Sequence, residues 1–152
     1  MTRGSFVHKA TELYDRGELD FDSLDDALRP YLDGWIQFRQ DYGFVPTEIE
    51  KSYISEAYNF GCRVDRIGLY RGEPALVEIK SGTMLPSVRI QLAGQTVAVG
   101  DSRLLRVGVE LPGIPANGKM YRKEVFTGSM DEEIFKCAAS VYHYKRTYLG
   151  LK

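Results

Sequence analysis

Apolar and polar residues alternate along the chain with two different periods, and these periods predict helices near both ends with a sheet between them. Helical spacing of the apolar residues predicts helices at residues 4–16, 24–42, 86–99 and 129–148. Runs rich in β-branched and aromatic residues predict strands at residues 47–55, 61–70, 75–80, 104–111 and 120–127. This order of elements predicts an α/β or α+β fold, with a central mixed β-sheet that is flanked by helices on both sides.

The length of 152 residues predicts a single domain, with a helical N-terminal part at about 5–42 and a sheet-containing core at about 47–152. No apolar run approaches the roughly 18 residues of a membrane helix, and the N-terminus lacks the apolar region of a signal peptide. Cys62 and Cys137 are too few for a disulfide framework or a four-cysteine iron–sulfur cluster. We therefore expect a cytoplasmic protein with reduced thiols and no membrane segment.

The formal net charge of −1 conceals an uneven distribution of charge along the chain. Residues 1–60 contain six Lys and Arg against twelve Asp and Glu, whereas residues 61–152 contain fourteen against nine. The first part therefore carries a charge of −6 and the second a charge of +5. A local basic patch for a polyanionic partner is compatible with this distribution. Ten tyrosines add aromatic surface on which nucleobases can stack.

The most informative stretch is residues 61–82, which reads as a β-hairpin with its turn at 71–74. That turn would place Asp65 opposite Lys80, and Ile67 opposite Glu78. Because side chains alternate between the two faces of a strand, the two carboxylates and the ammonium group would share one face. The other face would carry apolar residues that suit a core, namely Val64, Ala75, Val77 and Ile79.

Two interpretations of this polar face remain open from the hairpin alone. The first is a solvated face with a cross-strand ion pair, which contributes little to stability. The second is a site for a divalent cation, because carboxylate oxygens suit Mg²⁺ and Mn²⁺. In the second case Lys80 would orient a water molecule or neutralise developing negative charge.

Further candidate residues precede the hairpin. His8 lies near the predicted start of the first helix, where a histidine is either a surface residue or a metal ligand. Residues 15–22 read as a charged connector. In the next predicted strand, Glu48 and Glu50 alternate with Ile49 and therefore point away from it. Either glutamate would add an acidic group near the site, or both would belong to an exposed face.

Other candidates follow the hairpin. Gln91 and Gln95 share one face of the third predicted helix, and Arg89 is close by. They are either plain helix surface or contacts for a phosphate or a nucleobase edge. In the last predicted helix, a capping box at 129–132 marks the start, and residues 142–148 interleave aromatic and basic side chains. Its predicted core face comprises Ile134, Phe135, Ala138, Val141, Tyr142 and Leu149.

Taken together, several motifs resemble those of the PD-(D/E)XK nuclease superfamily, specifically its RecB-like exonuclease branch. They are Gly-x-x-x-His at 4–8, Gly-x-x-x-Asp at 61–65, Glu-Ile-Lys-Ser-Gly at 78–82, and the segment around Gln91. The match runs from Gly4 to about Gln95. One departure is Gln95 itself, which stands where the last family motif has a tyrosine. The cluster-binding cysteines of some relatives are also absent, so no iron–sulfur cluster is implied.

The resemblance implies a restriction-endonuclease-like core and metal-dependent hydrolysis of DNA. Mg²⁺ or Mn²⁺ would be held by His8, Asp65, Glu78 and the carbonyl group of Ile79. The residues acting in catalysis would be Asp65, Glu78, Lys80 and Gln91, with Lys80 activating the water and Gln91 orienting Lys80 or the phosphate. DNA contacts would come from Ser81, Arg89, Gln95, Lys145 and Arg146.

The first hypothesis is an exonuclease that acts on DNA ends in recombination, repair or phage DNA processing. Single-stranded DNA would be somewhat preferred over duplex ends. The alternatives are a structure-specific or restriction-like endonuclease, and a nucleic-acid-binding module with weakened catalysis, which the missing tyrosine favours. A homo-oligomer is a further expectation, since processive relatives often form rings.

Overall fold

A five-stranded mixed sheet with helices on both faces forms the protein, as the sequence predicts. The computed structural model describes residues 2–150. Its elements are α1 (Arg3–Arg16), α2 (Arg29–Tyr42), β1 (Val45–Ser55), β2 (Phe60–Tyr70), β3 (Glu73–Lys80), α3 (Ser87–Val99), β4 (Leu105–Glu110), β5 (Arg122–Phe126) and α4 (Asp131–Tyr148).

The strands lie side by side in chain order, from β1 at one edge to β5 at the other. Only the pair β3–β4 is parallel, and the other three pairs are antiparallel. Parallel neighbours need a crossover connection, which α3 provides. Since α3 begins soon after β3 ends, its first turns lie close to Glu78 and Lys80.

An apolar core lies on each face of the sheet. On one face, α1 and α2 pack against the strands, and Trp35 and Phe38 are fully buried there. On the other face, α3 contributes Val88 and Leu92. Ala75, Val77 and Ile79 lie in the first core, which confirms their predicted face.

The helix α4 packs mainly on α3. It reaches the sheet through Phe135, which meets Phe60 of β2, and through Asp131, which pairs with Arg106 of β4. Gly94 permits the approach to α3, because a Cβ atom at this position would lie 2.4 Å from the ring of Phe135. The prediction that its apolar stripe faces the core was wrong for most of the stripe, because α4 lies outside the two main layers, although Phe135 packs against α3. Half or more of the side-chain surface is exposed at the stripe residues Ile134, Val141, Tyr142 and Leu149.

Two helix starts differ from the sequence-based boundaries. α2 begins at Arg29, because Pro30 occupies the first turn, where its missing N–H costs nothing. The residues before it form turns and bends. α4 begins at Asp131 with no side-chain cap, so the predicted capping box at 129–132 does not form. The Asp131 carboxylate instead pairs with arginines, including Arg89 at 2.7 Å.

The hairpin between β2 and β3 has a shorter turn than the sequence predicts. Arg71 and Gly72 alone form it, with φ angles of 52° and 83°. Two residues with positive φ give a turn whose twist matches that of the adjoining strands. Tyr70 therefore pairs with Glu73, and the whole ladder is offset by two residues from the predicted register.

The offset corrects two predicted pairs. Ile67 lies opposite Leu76 and not opposite Glu78, and the predicted pairing of Asp65 with Lys80 does not occur. Side chains alternate with a period of two, so an offset of two residues within the regular ladder does not move a side chain to the other face. Glu78 and Lys80 accordingly share a face, and Nζ of Lys80 lies 2.7 Å from Oε1 of Glu78.

Cys62 and Cys137 are free thiols, as expected from their number. Cys62 is half-buried, and burial together with the nearby charge of Glu78 raises the pKa of its thiol. Within residues 2–150, no helix combines the length and the apolar character that crossing a membrane requires.

Candidate active site

The candidate site is built around Asp65, at the point where β2 separates from β3. The backbone ladder between these strands ends at the pair Arg66–Val77. One residue further, Oδ2 of Asp65 accepts a hydrogen bond of 2.7 Å from the N–H of Ile79. A carboxylate thus satisfies a backbone donor that a regular ladder would have paired with a carbonyl group.

The separation also breaks the alternation of side chains along β2. Arg66 lies on the face of α1 and α2, where its guanidinium group contacts Asp15. Val64, two residues away, packs in the opposite core with Leu76. The prediction that Val64 shares a face with Val77 was therefore wrong, because it assumed a regular strand through Asp65.

On the α1 side of the site, His8, Glu50 and Asp65 converge. Nδ1 of His8 lies 3.3 Å from Oδ1 of Asp65 and 3.6 Å from Oε1 of Glu50. One nitrogen and two carboxylate oxygens from these residues all lie within 4.8 Å of one another. This is a compact set of potential metal ligands, and it includes two of the four predicted ones.

The electrostatics of this set favour a positive charge between the two carboxylates. Burial by itself lowers the pKa of His8, but hydrogen bonds and charges from Asp65 and Glu50 outweigh it and raise the pKa to about 10. Burial raises the pKa of Glu50, yet His8 and Arg66 reverse the effect and lower it overall. The metal-free site therefore holds an imidazolium ion against two carboxylates at neutral pH.

Glu50 is the residue whose role the sequence left open. It has a φ angle of 51°, which is uncommon for a residue other than glycine. This backbone conformation accompanies a side chain that is only 8% exposed, held by Arg66 at 3.1 Å and by Arg63 at 2.9 Å. Glu48, its partner in the sequence pattern, instead bonds to Tyr53 and lies outside the cluster.

On the α3 side of the site, Glu78 is held by three neighbours. Its Oε1 accepts hydrogen bonds from Lys80 at 2.7 Å and from the Gln91 amide at 2.6 Å. Its Oε2 accepts one from Gln95 at 3.0 Å. Gln91 also accepts a hydrogen bond from Nζ of Lys80 at 3.2 Å, so its amide group links the Glu78 carboxylate to the Lys80 ammonium group.

Asp65 connects the two halves of the site. Burial and the charge of Asp65 raise the pKa of Glu78, against the opposing effects of Lys80 and Gln95. Glu78 is buried, whereas the Lys80 side chain is 31% exposed and remains open to solvent. The arrangement thus places the partly exposed Lys80 ammonium group next to a concentrated group of carboxylates.

A buried ion network fixes the position of α1 relative to the site. Asp15 and Arg66 are both completely buried, and their closest charged atoms are 2.6 Å apart. Asp15 also accepts hydrogen bonds from Trp35 and from Arg39. Arg66 in turn bonds to Thr11 of α1, in the turn that follows His8. The sequence analysis described residues 15–22 as a charged connector. This was wrong for Asp15, which lies in α1 and is completely buried.

The start of α1 lies against the loop after β3. A Cβ atom at Gly4 would stand 3.3 Å from Oγ of Ser81, closer than most side chains approach. Glycine at this position therefore lets α1 come close to the Ser81 loop and brings His8 to Asp65. This contact gives a physical reason for the spacing between Gly4 and His8.

The other predicted DNA contacts occupy different places. Gln95 is 3% exposed. Its amide donates hydrogen bonds to Glu78 and to the Arg63 carbonyl group inside the protein, so it is not placed to contact DNA. Arg89 pairs with Asp131 and joins α3 to α4. Lys145 and Arg146 are exposed near the end of α4. The amide of Ile79 contacts Asp65, and the predicted role of its carbonyl group as a ligand stays a prediction.

No protein-family model matches this chain, and a search of curated proteins finds no match. An assignment of function therefore depends on the geometry of the site and on the chemistry of its residues.

Proposed function

We propose that the protein is a metal-dependent deoxyribonuclease that hydrolyses phosphodiester bonds from DNA ends. The observation that carries this proposal is the pairing of two groups around Asp65. His8 and Glu50 lie on one side of it, and the Glu78–Lys80 pair held by Gln91 lies on the other. Ligands for a cation and an accessible ammonium group thus stand side by side, as phosphoryl chemistry requires.

The ligand chemistry fits Mn²⁺ or Mg²⁺. Carboxylate oxygens suit both ions, and one imidazole nitrogen shifts the preference towards Mn²⁺. The His8–Glu50–Asp65 set already stabilises a positive charge, since it raises the pKa of His8 to about 10. When bound, such an ion would make its water more acidic and neutralise charge on a phosphoryl oxygen. Glu78 and the Ile79 carbonyl group are proposed as further ligands.

The remaining steps of catalysis depend on side chains of the protein. Lys80 orients the attacking water and neutralises charge that develops on the phosphate, because its ammonium group is partly exposed. Gln91 positions Lys80 against Glu78 through its two hydrogen bonds. The free thiols of Cys62 and Cys137 are consistent with a cytoplasmic enzyme, and the partial exposure of Lys80 leaves the site open to a DNA phosphate.

The decisive experiment compares end-labelled linear DNA, single-stranded and duplex, with a closed circle in the presence of Mn²⁺ or Mg²⁺. We expect metal-dependent cleavage of the linear substrates, with the single strand cut faster. Cutting of the closed circle would instead identify an endonuclease. Lys80→Ala should abolish cleavage, whereas Lys123→Ala, at an exposed lysine on β5, should cleave like wild type.

Absence of cleavage on every substrate, with either ion, would refute the proposal. In that case nucleic-acid binding that is unaffected by Lys80→Ala would identify a binding module. Sedimentation of the wild-type protein with and without DNA tests the accompanying proposal of a homo-oligomer.

A further inference from the structure

A groove leads away from the site between α4 and the turn that joins β1 to β2. Its inner part, about 290 Å³, begins at Gln91 and Gln95, whose amides hold Glu78. Its outer part, about 740 Å³, extends to Tyr142 and Arg146 on α4. Phe60 and Phe135 line both parts, so the two parts adjoin each other at these two rings.

The chemistry of this groove is aromatic and basic. Phe60 and Phe135 meet edge to face, with ring centroids 4.9 Å apart. The guanidinium group of Arg146 lies 5.7 Å from the Tyr142 ring and donates a hydrogen bond to its hydroxyl group. The lining also includes Arg63, whereas none of the residues that line the two parts carries a carboxylate. A polyanion with flat, stackable groups complements such a surface.

We propose that the groove binds a single strand of DNA and guides its end to the Glu78–Lys80 pair. Stacking on a ring requires an unpaired base, which favours a single strand over a duplex. Tyr142 is 52% exposed and so offers its ring to such a base, next to a guanidinium group that can contact a phosphate. The inference rests on the proposed function, because the strand's destination is the hydrolytic site.

A second copy of the chain is the rival occupant, because α4 exposes apolar residues such as Ile134 and Val141. Those two side chains are not among the residues that line the groove. Gln91 lines the inner part of the groove, and within residues 2–150 the lining carries arginines but no carboxylates, so DNA suits this position better.

The test measures binding in EDTA, where no cleavage occurs, by fluorescence anisotropy with a labelled thymidine oligonucleotide. Tyr142→Ala should weaken binding by about fivefold or more, the loss expected for one stacked base. Tyr142→Trp should restore it. Arg146→Ala should also reduce the slope of log affinity against log salt by about 0.7, as expected for one lost phosphate contact.

Arg103→Ala is the matched control. Arg103 is 88% exposed and precedes β4, at the end of the sheet opposite Lys80. We expect this variant to retain the wild-type affinity and salt slope. Circular dichroism should show the same helix content in all four variants, since each changed side chain is largely exposed or conservatively replaced.

Unchanged affinity in both Tyr142→Ala and Arg146→Ala would overturn the proposal. It would be overturned equally if these variants altered only the sedimentation coefficient, which would identify α4 as a self-association surface. The outcome is separable from that of the nuclease assay. If the variants weaken binding but the protein shows no metal-dependent cleavage, the proposed nuclease activity is refuted and the proposed DNA groove stands. If the protein cleaves DNA but the variants bind like wild type, the proposed groove is refuted and the nuclease activity stands.

Discussion

The buried pair of Asp15 and Arg66 supports a quantitative prediction about how the site is held together. Both side chains are fully buried, and Asp15 also accepts hydrogen bonds from Trp35 and Arg39. Replacement of Asp15 by alanine removes the carboxylate that faces the Arg66 guanidinium group. The positive charge of Arg66 then stays buried without this partner. Breaking a buried pair in this way costs about 3–5 kcal/mol. A domain of this size has a stability of only about 5–15 kcal/mol in total.

This loss converts into a large change in melting temperature. For a chain of this length, 1 kcal/mol shifts the midpoint by about 2–4 °C, so Asp15→Ala should lower it by roughly 6–20 °C. The measurement is thermal unfolding by circular dichroism, without metal. Asp15→Asn should lose less, since it keeps an acceptor for Trp35 but removes the charge that faces Arg66.

The matched control is Asp26→Ala, which removes the same group from a side chain that is 92% exposed and pairs with Arg29. Exposed pairs contribute little, so its melting curve should stay close to that of wild type. If Asp15→Ala lost no more stability than Asp26→Ala, the network would not be fastening α1 to the sheet. The explanation for the position of His8 would then have to rest on Gly4 alone.

Three further predictions concern the site and its surroundings. Glu50→Gln should weaken Mn²⁺ binding by at least about tenfold in calorimetry, whereas Glu48→Gln, outside the cluster, should not. The pKa of His8 is raised from 6.5 to about 10, so its stabilisation is complete below about pH 6.5 and lost as pH rises through 10. The difference in melting temperature between wild type and His8→Gln, measured in EDTA, should therefore become smaller as the pH rises from about 6.5 to about 10. Gly94→Ala should cost about 1–3 kcal/mol in denaturant unfolding by overpacking, and Phe135→Ala in the same chain should offset part of that loss.

The hairpin shows why part of the site could be predicted from the sequence. The predicted turn was too long, yet Glu78 and Lys80 still emerged on one face. An error of two residues equals one period of strand alternation, so it changes the partners without changing the faces. Predictions based on side-chain periodicity are therefore more secure than those based on register.

Other features depend on contacts that periodicity does not contain. The inward position of Glu50 requires a left-handed backbone conformation that no glycine signals. The burial of Asp15 depends on Arg66, 51 residues away in the chain. The apolar stripe of α4 was recognised correctly as a stripe, but whether another element covers it is a property of the tertiary structure.

The presence of Gln95, where the nuclease motif that the sequence resembles has a tyrosine, also has a physical explanation. Where β2 leaves β3, two acceptors need a donor from α3, namely Oε2 of Glu78 and the carbonyl oxygen of Arg63. The Gln95 amide reaches them at 3.0 and 3.2 Å and carries two N–H donors. A tyrosine hydroxyl has a single hydrogen and could not donate to both acceptors at once, whereas the glutamine does so while its Oε1 stays buried without a hydrogen-bond partner among the residues that the structure describes. Glutamine therefore suits the gap between the strands, and its presence does not by itself argue for a weakened site.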